Sequence, residues 1–275
     1  MRKKLKGFRE IVLSLLAIVV IFVTLFPLLW MVISGFKPSA EIMSVPFKFF
    51  PSTWSTEHYK ELLTNGDFLH ALLVTGIGGV VFTVLVLAVN SAAAYSFSRL
   101  DFKFKNIIWA YALLPMFIPG IAILIPSFIV VVRLGLLNSY AALIMPGIAA
   151  AGTLFFLRQY YLGIPLSLEE AARIDGASRT KIYLEIFIPM SVPPFVIMGI
   201  GAFLGYWNAY IWPVMVLSDT SKYQIMQFMA FFRSERGSNW SNIMAGSVIS
   251  SIPTIMLFII FQRYIIQGIK ISGLK

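Results

Sequence analysis

The segment that decides the fold class is FLHALLVTGIGGVVFTVLVLAVNSAAAYSFS, at residues 68–98. It runs for 31 residues without an aspartate, glutamate, lysine or arginine. A helix needs about 20 apolar residues to cross the hydrocarbon core of a bilayer, so this segment is long enough to span a membrane. It shows no strand-like alternation, and lipid cannot hydrogen-bond an open backbone. We therefore expect a transmembrane helix.

Five further charge-free segments occur along the chain, at residues 11–36, 106–132, 134–157, 186–218 and 237–262. Together with the first they predict an all-α membrane protein with six transmembrane helices, near residues 11–33, 69–95, 108–131, 139–160, 187–215 and 243–266. A soluble protein with six buried helices is disfavoured, because too little polar sequence remains to cover them. Only 12% of the 275 residues are charged, whereas soluble domains carry about 25%.

The spans divide the chain into three predicted parts. Residues 1–10 form a basic cytoplasmic arm, residues 11–267 the six-helix domain, and residues 268–275 a cytoplasmic tail. Within the domain we expect an inner loop at 163–187 and outer loops at 37–67 and 218–242. The first span follows a basic arm as a signal peptide would. It is longer than a signal core of about 7–15 residues and lacks a small-residue cleavage site, which favours a retained helix.

The loops predict the orientation through their basic residues. With the amino terminus inside, the inner segments hold 15 lysines and arginines and the outer segments hold 7. Inner loops of membrane proteins carry such an excess. We therefore expect a multi-pass protein of the cell (inner) membrane with both termini in the cytoplasm. The net charge of +10 then records topology, and nucleic-acid binding is not expected.

Several classes of function lack their residues. The chain has no cysteine and no HExxH or GxSxG motif, so we expect neither a catalytic site nor a metal site. It has no GxxxxGK[ST] loop, so any nucleotide would bind to another chain. Ion-driven carriers usually hold ionisable groups within the membrane. The six segments contain no Asp, Glu, Lys or Arg, which disfavours such a carrier.

Two spans carry features of a translocation path. Prolines 115, 119 and 126 interrupt the third span, and transport proteins often use broken helices to line a path. The fifth span carries Trp207, Asn208 and Tyr210, and aromatic faces next to an amide suit a sugar ring. Asn90 in the second span is a further candidate. An interfacial aromatic belt is the alternative.

The inner loop contains PLSLEEAARIDGAS at residues 165–178. Ser167 and Glu170 have the spacing of a capping box, which predicts a helix starting there. Gly176 suits the left-handed position that ends a helix. The result is a short helix tethered between two spans, as a mechanical coupling element requires. A helix lying on lipid would favour aromatic and basic residues, and two adjacent glutamates fit that alternative poorly.

This segment resembles the EAA loop of permease subunits from ABC importers. The resemblance rests on Glu170-Ala171-Ala172-x-x-Asp175-Gly176-Ala177 and on Tyr183, Ile186, Ile188 and Pro189. Five other stretches are similar to maltose-type sugar permeases. They are Pro27-x-x-Trp30 with residues 34–38, residues 93–100, residues 135–140, residues 156–159, and the tail with Phe261, Gln262, Arg263, Tyr264, Gly268, Gly273 and Lys275.

The resemblance implies the type I ABC importer permease fold and a role in ATP-driven carbohydrate import. It implies a second permease subunit, two ATPase subunits that carry ATP and Mg²⁺, an extracytoplasmic solute-binding protein and a sugar substrate. A permease for another solute, an ion-coupled secondary carrier and a membrane-tethered scaffold are the alternatives.

The resemblance also implies two sets of contact residues. The set that would couple to the ATPase is Glu170, Ala171, Ala172, Asp175, Gly176, Ala177 and Pro189. The set in the last outer loop that would contact the binding protein is Tyr223, Gln224, Gln227, Phe228 and Phe231. The end of the tail, residues 273–275, would also touch the ATPase.

Overall fold

The structure is a computed structural model that describes residues 2–234 and 237–272, with side chains at 10–233 and 239–264. Its α-helices are α1 (Arg2–Ser34), α2 (Ser39–Ile42), α3 (Glu57–Thr64), α4 (Gly66–Arg99), α5 (Lys105–Leu113), α6 (Gly120–Arg133), α7 (Tyr140–Ile144), α8 (Ala151–Leu162), α9 (Leu166–Ile174), α10 (Arg179–Ile182), α11 (Ile188–Met190), α12 (Val192–Trp207), α13 (Ile211–Val216), α14 (Ile225–Met229) and α15 (Trp240–Ser272). A π-helical turn covers Tyr183–Phe187, and 3₁₀ turns cover Leu114–Phe117, Met145–Gly147, Thr220–Lys222 and Ala230–Phe232. Two short antiparallel strands, β1 (Arg233–Ser234) and β2 (Gly237–Ser238), pair with each other.

Three helices, α1, α4 and α15, are each long and apolar enough to cross a membrane. Three bent pairs meet the same test together, which gives up to six spans if each pair is one span. The bends are 111° between α5 and α6, 45° between α7 and α8, and 76° between the segments Arg179–Met190 and Val192–Trp207. The predicted all-α membrane fold is confirmed, and the count of six holds when each bent pair crosses once.

The breaks within the spans are only partly those predicted. The third span is broken at its prolines as predicted, except that Pro126 lies inside α6. The fourth and fifth spans are also broken, where continuous helices were predicted, and the fifth breaks twice, at Ser191 and again at 208–210. In the third span a 3₁₀ turn contains Pro115, and Pro119 directly precedes α6. Proline has no N–H to donate, and Ile118, which precedes Pro119, has an extended backbone, so the helical bonds stop there. The first helix already begins at Arg2 and includes the basic arm.

The described residues fall into two compact units, and the first comprises residues 1–69 and 229–252. In α1 every side chain from Glu10 to Leu29 is exposed, as suits a helix that faces lipid or another chain. Beyond α1 the backbone carbonyl of Lys37 accepts from the Ser241 hydroxyl at 2.6 Å. The Lys37 ammonium is buried and lies 3.9 Å from the centre of the Trp30 ring. Burial lowers the pKa of Lys37, and the charge of Glu41 opposes that shift.

The second unit comprises residues 70–228 and 253–275, and within it α4 and α12 approach each other closely. A Cβ added to Gly78 would lie 2.3 Å from the Tyr206 hydroxyl, and one added to Gly79 would lie 2.9 Å from the Phe203 ring. Glycine lets helix backbones pack this closely within a membrane. A Cβ at Gly201, in contrast, would meet nothing within 4 Å.

Asn90 on α4 completes the break that precedes α8. Its side-chain amide donates to the carbonyl of Ile148 at 2.7 Å, and its carbonyl oxygen accepts from the backbone N–H of Ala150 at 3.1 Å. Asn90 is only 2% exposed. Lipid offers no partner to such backbone groups, so a side chain from a neighbouring helix takes them.

Replacing Asn90 with leucine should therefore destabilise the protein. The change keeps most of the side-chain volume but leaves two buried backbone groups without partners, which costs about 1–3 kcal/mol. The thermal unfolding midpoint of the purified protein in detergent measures the effect. The exposed Asn106 supplies the control, since Asn106→Leu should leave the midpoint in place. An unchanged midpoint in Asn90→Leu would contradict the structural role of this amide.

Candidate functional site

The helix α9 begins earlier than the sequence predicts. Pro165 directly precedes it and Leu166 is its first residue, and no side chain caps the amino end. The predicted capping box between Ser167 and Glu170 is therefore wrong. Because Pro165 occupies the N-cap position and the helix starts at Leu166, Ser167 lies inside the first turn and its hydroxyl has no terminal position to fill.

The carboxyl end of α9 has the predicted geometry. Gly176 adopts a left-handed φ of 79°. Its N–H donates to Arg173 O at 3.0 Å, and the N–H of Ala177 donates to Ala172 O at 2.9 Å. These two bonds form a Schellman motif, which satisfies carbonyls that a helix end leaves open. Gly176 thus fixes where α9 ends and where the chain turns.

The two adjacent glutamates of α9 have opposite environments. Glu170 is exposed, whereas Glu169 is 4% exposed. The Glu169 carboxylate lies 2.5 Å from the Arg173 guanidinium, one helical turn later, and 3.9 Å from Nε of Arg99. Glu169 was not among the residues predicted for the site. Its four-residue spacing to Arg173 was the available signal, because such pairs face each other on a helix.

Arg99 is the last residue of α4 and joins three segments. Its guanidinium donates to the carbonyl of Tyr161 at 2.6 Å and also to that of Ile164. These carbonyls belong to the end of α8 and to the link that follows it, where helical partners run out. The guanidinium carbon lies 5.2 Å from the centre of the Phe187 ring. Arg99 therefore ties α4 to α8, α9 and the π-helical turn.

An aromatic cluster beneath Arg99 packs the same segments together. Phe187 lies 4.8 Å from the ring of Tyr95 and 5.2 Å from that of Tyr161, both edge-on. The Ser91 hydroxyl bonds the Tyr161 hydroxyl at 2.6 Å and accepts from Tyr183 at 2.9 Å. Rings at these distances and angles attract each other. These aromatic contacts thus pack α4, α8 and the π-helical turn together next to α9.

The outward face of α9 is open to a partner. Glu170, Ala171 and Asp175 are exposed, and the Ile174 side chain is 86% exposed. Ala172 and Ala177 are half-buried and pack against the aromatic cluster. Glu170, Ala171, Ala172, Asp175, Gly176 and Ala177 therefore form one continuous element. Pro189 is exposed in α11, beyond the π-helical turn.

The candidate path residues of the fifth span lie where α12 ends. Trp207 is 2% exposed and stacks on Phe203 at 5.6 Å. Asn208 is exposed and its amide donates to Leu204 O at 3.0 Å, while Tyr210 is 47% exposed. Unwound backbone at membrane depth is tolerated where it lines a water-filled cavity or is buried in protein. Asn208 and Tyr210 are therefore the accessible members of this set.

The candidate contact residues of the last outer loop differ in exposure. Gln224 and Gln227 are buried, Tyr223 and Phe228 are half-buried, and Phe231 is 56% exposed. The buried start of this segment is held to α4, because the N–H of Ile225 donates to the Thr75 hydroxyl at 2.8 Å. A partner arriving at this loop meets Phe231 before either glutamine.

Comparison with known proteins identifies the family. Residues 84–271 match the family described as "Binding-protein-dependent transport system inner membrane component". The chain belongs to this family. It is 34% identical, over 92% of both chains, to the arabinooligosaccharides transport system permease protein AraQ of Halalkalibacterium halodurans. It is 30% identical, over 97% of both chains, to the trehalose/maltose transport system permease protein MalG of Thermococcus litoralis.

A solved structure of a bacterial ABC transporter involved in alginate import has the same fold. It superposes with a TM-score of 0.80 over 94% of this chain and 96% of that chain, at 22% identity. The predicted type I ABC importer permease fold is confirmed. Family membership makes this chain a multi-pass membrane permease component rather than an enzyme. Among the described residues no group of three or more His, Cys, Asp or Glu side chains is arranged to hold a metal ion.

Replacing Gly176 with valine should stop transport without preventing insertion. No atom lies within 4 Å of the added Cβ, so the expected defect comes from backbone strain alone. A β-branched residue in the left-handed region costs about 1–2 kcal/mol, enough to misplace the end of α9. ATP-driven solute uptake, normalised to the amount of inserted protein, measures the effect.

Gly176→Asn is the matched variant, since asparagine tolerates the left-handed conformation. It should retain most of the uptake. Normal uptake by Gly176→Val would show that the geometry of this helix end is not needed for transport.

Proposed function

We propose that this chain is a permease subunit of an ATP-driven, binding-protein-dependent importer of carbohydrates. It forms half of the translocation path, and a second permease subunit forms the other half. The proposal that the solute is a sugar is supported by the relatives reported above, whose names specify arabinooligosaccharides and trehalose or maltose. In this arrangement ATP and Mg²⁺ bind to two separate ATPase subunits and not to this chain.

The ATPase subunits dock on α9, within the inner loop 163–187. The observation that carries this proposal is the two-sided character of the helix. One side, with Glu169 and Ala172, is held to α4 and the aromatic cluster, while the other side exposes Glu170 and Ile174. An exposed apolar side chain next to charged ones suits a protein contact. ATP-driven movement of the ATPase would push α9 and, through these contacts, the spans.

The remaining assignments follow from the orientation of the spans. Both termini and the inner loop face the cytoplasm, because lysine and arginine are concentrated there. The outer loops 37–67 and 218–242 then face the binding protein, and Phe231 is the most exposed of the contact residues proposed there. Asn208 and Tyr210 line the path. The end of the tail, residues 273–275, lies outside the described residues.

Reconstitution of the complex tests the function. The complex purified through a tag on this chain is placed in proteoliposomes with its binding protein and ATP. Uptake of labelled arabinooligosaccharides, trehalose and maltose is compared with that of amino acids, peptides and phosphate. ATP-dependent uptake of at least one sugar is expected. Uptake confined to a non-sugar solute would overturn the sugar assignment, and uptake without ATP would overturn the importer assignment.

Replacing Phe231 with serine should weaken the response to the binding protein. Removing a large, half-exposed aromatic side chain from an interface typically costs about 1–2 kcal/mol of binding. The stimulation of ATP hydrolysis by loaded binding protein should therefore need a higher concentration of that protein. Phe104→Ser is the control, since Phe104 is 60% exposed between the second and third spans, on the proposed cytoplasmic side. An identical concentration dependence in Phe231→Ser and the parent complex would remove Phe231 from the interface.

A further inference from the structure

Arg99 and Glu169 form a buried ion pair. Arg99 ends α4, and Glu169 lies in the first half of α9. Each side chain is only 5% exposed. The sequence between them includes α5 to α8, so the contact joins elements that are distant along the chain. The end of the second span is thus in direct contact with α9.

Among the described residues Glu169 is the carboxylate that lies within salt-bridge distance of Arg99, and Glu169 also pairs with Arg173. A buried guanidinium or carboxylate loses much of its hydration, and only an opposite charge with additional hydrogen bonds compensates. Nη2 of Arg99 donates to the carbonyls of Tyr161 and Ile164, and Oε1 of Glu169 accepts from Arg173. Arg99 is therefore held to the end of α8 and the link after it, and Glu169 is held within α9. Nε of Arg99 and Oε2 of Glu169 face each other between these two anchored groups.

The distance between Arg99 and Glu169 is longer than a hydrogen bond. Nε of Arg99 lies 3.9 Å from Oε2 of Glu169, and neither atom has a hydrogen-bond partner among the described residues. A charge-assisted bond is about 2.7–2.9 Å long, so a shift of roughly 1 Å would form one. A cavity of about 320 Å³ borders the pair and leaves room for that shift.

We propose that Arg99 and Glu169 are positioning residues that transmit movement of α9 to α4. The inference rests on the proposed docking of the ATPase to α9. Arg99 fixes one end of the joint to α4 and α8, and Glu169 fixes the other end to α9. When the ATPase pushes α9, the pair closes, and α4 follows because its last side chain is held. Arg173 is exposed and pairs with Glu169 of the same helix, so we assign it no such role.

A double-mutant cycle separates transmission from mere stability. The variants Glu169→Gln, Arg99→Gln and the double variant are reconstituted as complete complexes with binding protein and ATP. Glu169→Gln leaves the buried Arg99 guanidinium without a carboxylate, whereas Arg99→Gln leaves Glu169 paired with Arg173 and removes the donor to the carbonyls of Tyr161 and Ile164. Both should lower the thermal midpoint of the complex, and the double variant, which has no unpaired charge at position 99, should lie above Glu169→Gln. The sugar taken up per ATP hydrolysed should fall at least about fivefold in all three variants.

The double variant decides the outcome. A ratio of uptake to hydrolysis that stays low in the double variant, although its midpoint lies above that of Glu169→Gln, supports transmission through the pair. A ratio that follows the midpoint across the three variants would show a purely structural role and overturn the inference. The exposed pair Lys181 and Glu185, 4.0 Å apart on the same inner loop, supplies the control, since Glu185→Gln should change neither quantity.

The same experiment distinguishes failure of the inference from failure of the proposed function. If the unsubstituted complex imports sugar with ATP and the variants keep the same uptake of sugar per ATP hydrolysed, only the proposed role of the Arg99–Glu169 pair is disproved. If the unsubstituted complex hydrolyses ATP but imports no solute of the panel, the proposed function fails and the joint fails with it. Co-purification of the ATPase with every variant verifies that docking on α9 is intact.

Discussion

Backbone groups inside a bilayer have no solvent to bond with, and this constraint organises the structure. A continuous helix satisfies them internally, but three of the spans in this chain are bent or broken. Where the described residues show how a break is stabilised, a side chain from a distant part of the chain hydrogen-bonds the backbone groups that the helix leaves open. Asn90 holds the carbonyl of Ile148 and the N–H of Ala150. The indole of Trp212 donates to Ala142 O at 2.9 Å.

The same device operates between α6 and α7 with Asn138. This residue adopts a left-handed φ of 55°, and its side-chain oxygen accepts from the N–H groups of Ser218 and Asp219. An amide can donate and accept at once, so it substitutes for the missing turn of a helix. At the end of α4 Arg99 plays the corresponding part for the carbonyls of Tyr161 and Ile164. Because it is a cation, it holds Glu169 as well.

The parts of this structure that were predictable from sequence are those set by local composition. Charge-free length predicts the spans, and Gly176 predicts the end of α9 because left-handed backbone favours glycine. The bend of 111° between α5 and α6 is different: Pro115 and Pro119 mark its place, but its size depends on packing. Glu169 went unassigned because its partner Arg99 lies 70 positions earlier, which no local pattern reveals.

The start of α9 and the role of Asn90 show the same limit. Ser167 and Glu170 match the spacing of a capping box, yet Pro165 moves the helix start and removes the position that the box needs. Asn90 attracts attention as a polar side chain in an apolar span. Its partners are backbone groups 58 and 60 residues away, so its contribution is visible only once the spans are packed.

The bond between Asn90 and the backbone near Ile148 also has a consequence for biogenesis. The amide lies on the second span, which leaves the ribosome before the fourth. In the folded chain the open carbonyl and N–H of the fourth span bond to that amide, for which lipid offers no substitute. The fourth span can therefore satisfy these two groups in this way only when the second span is packed beside it.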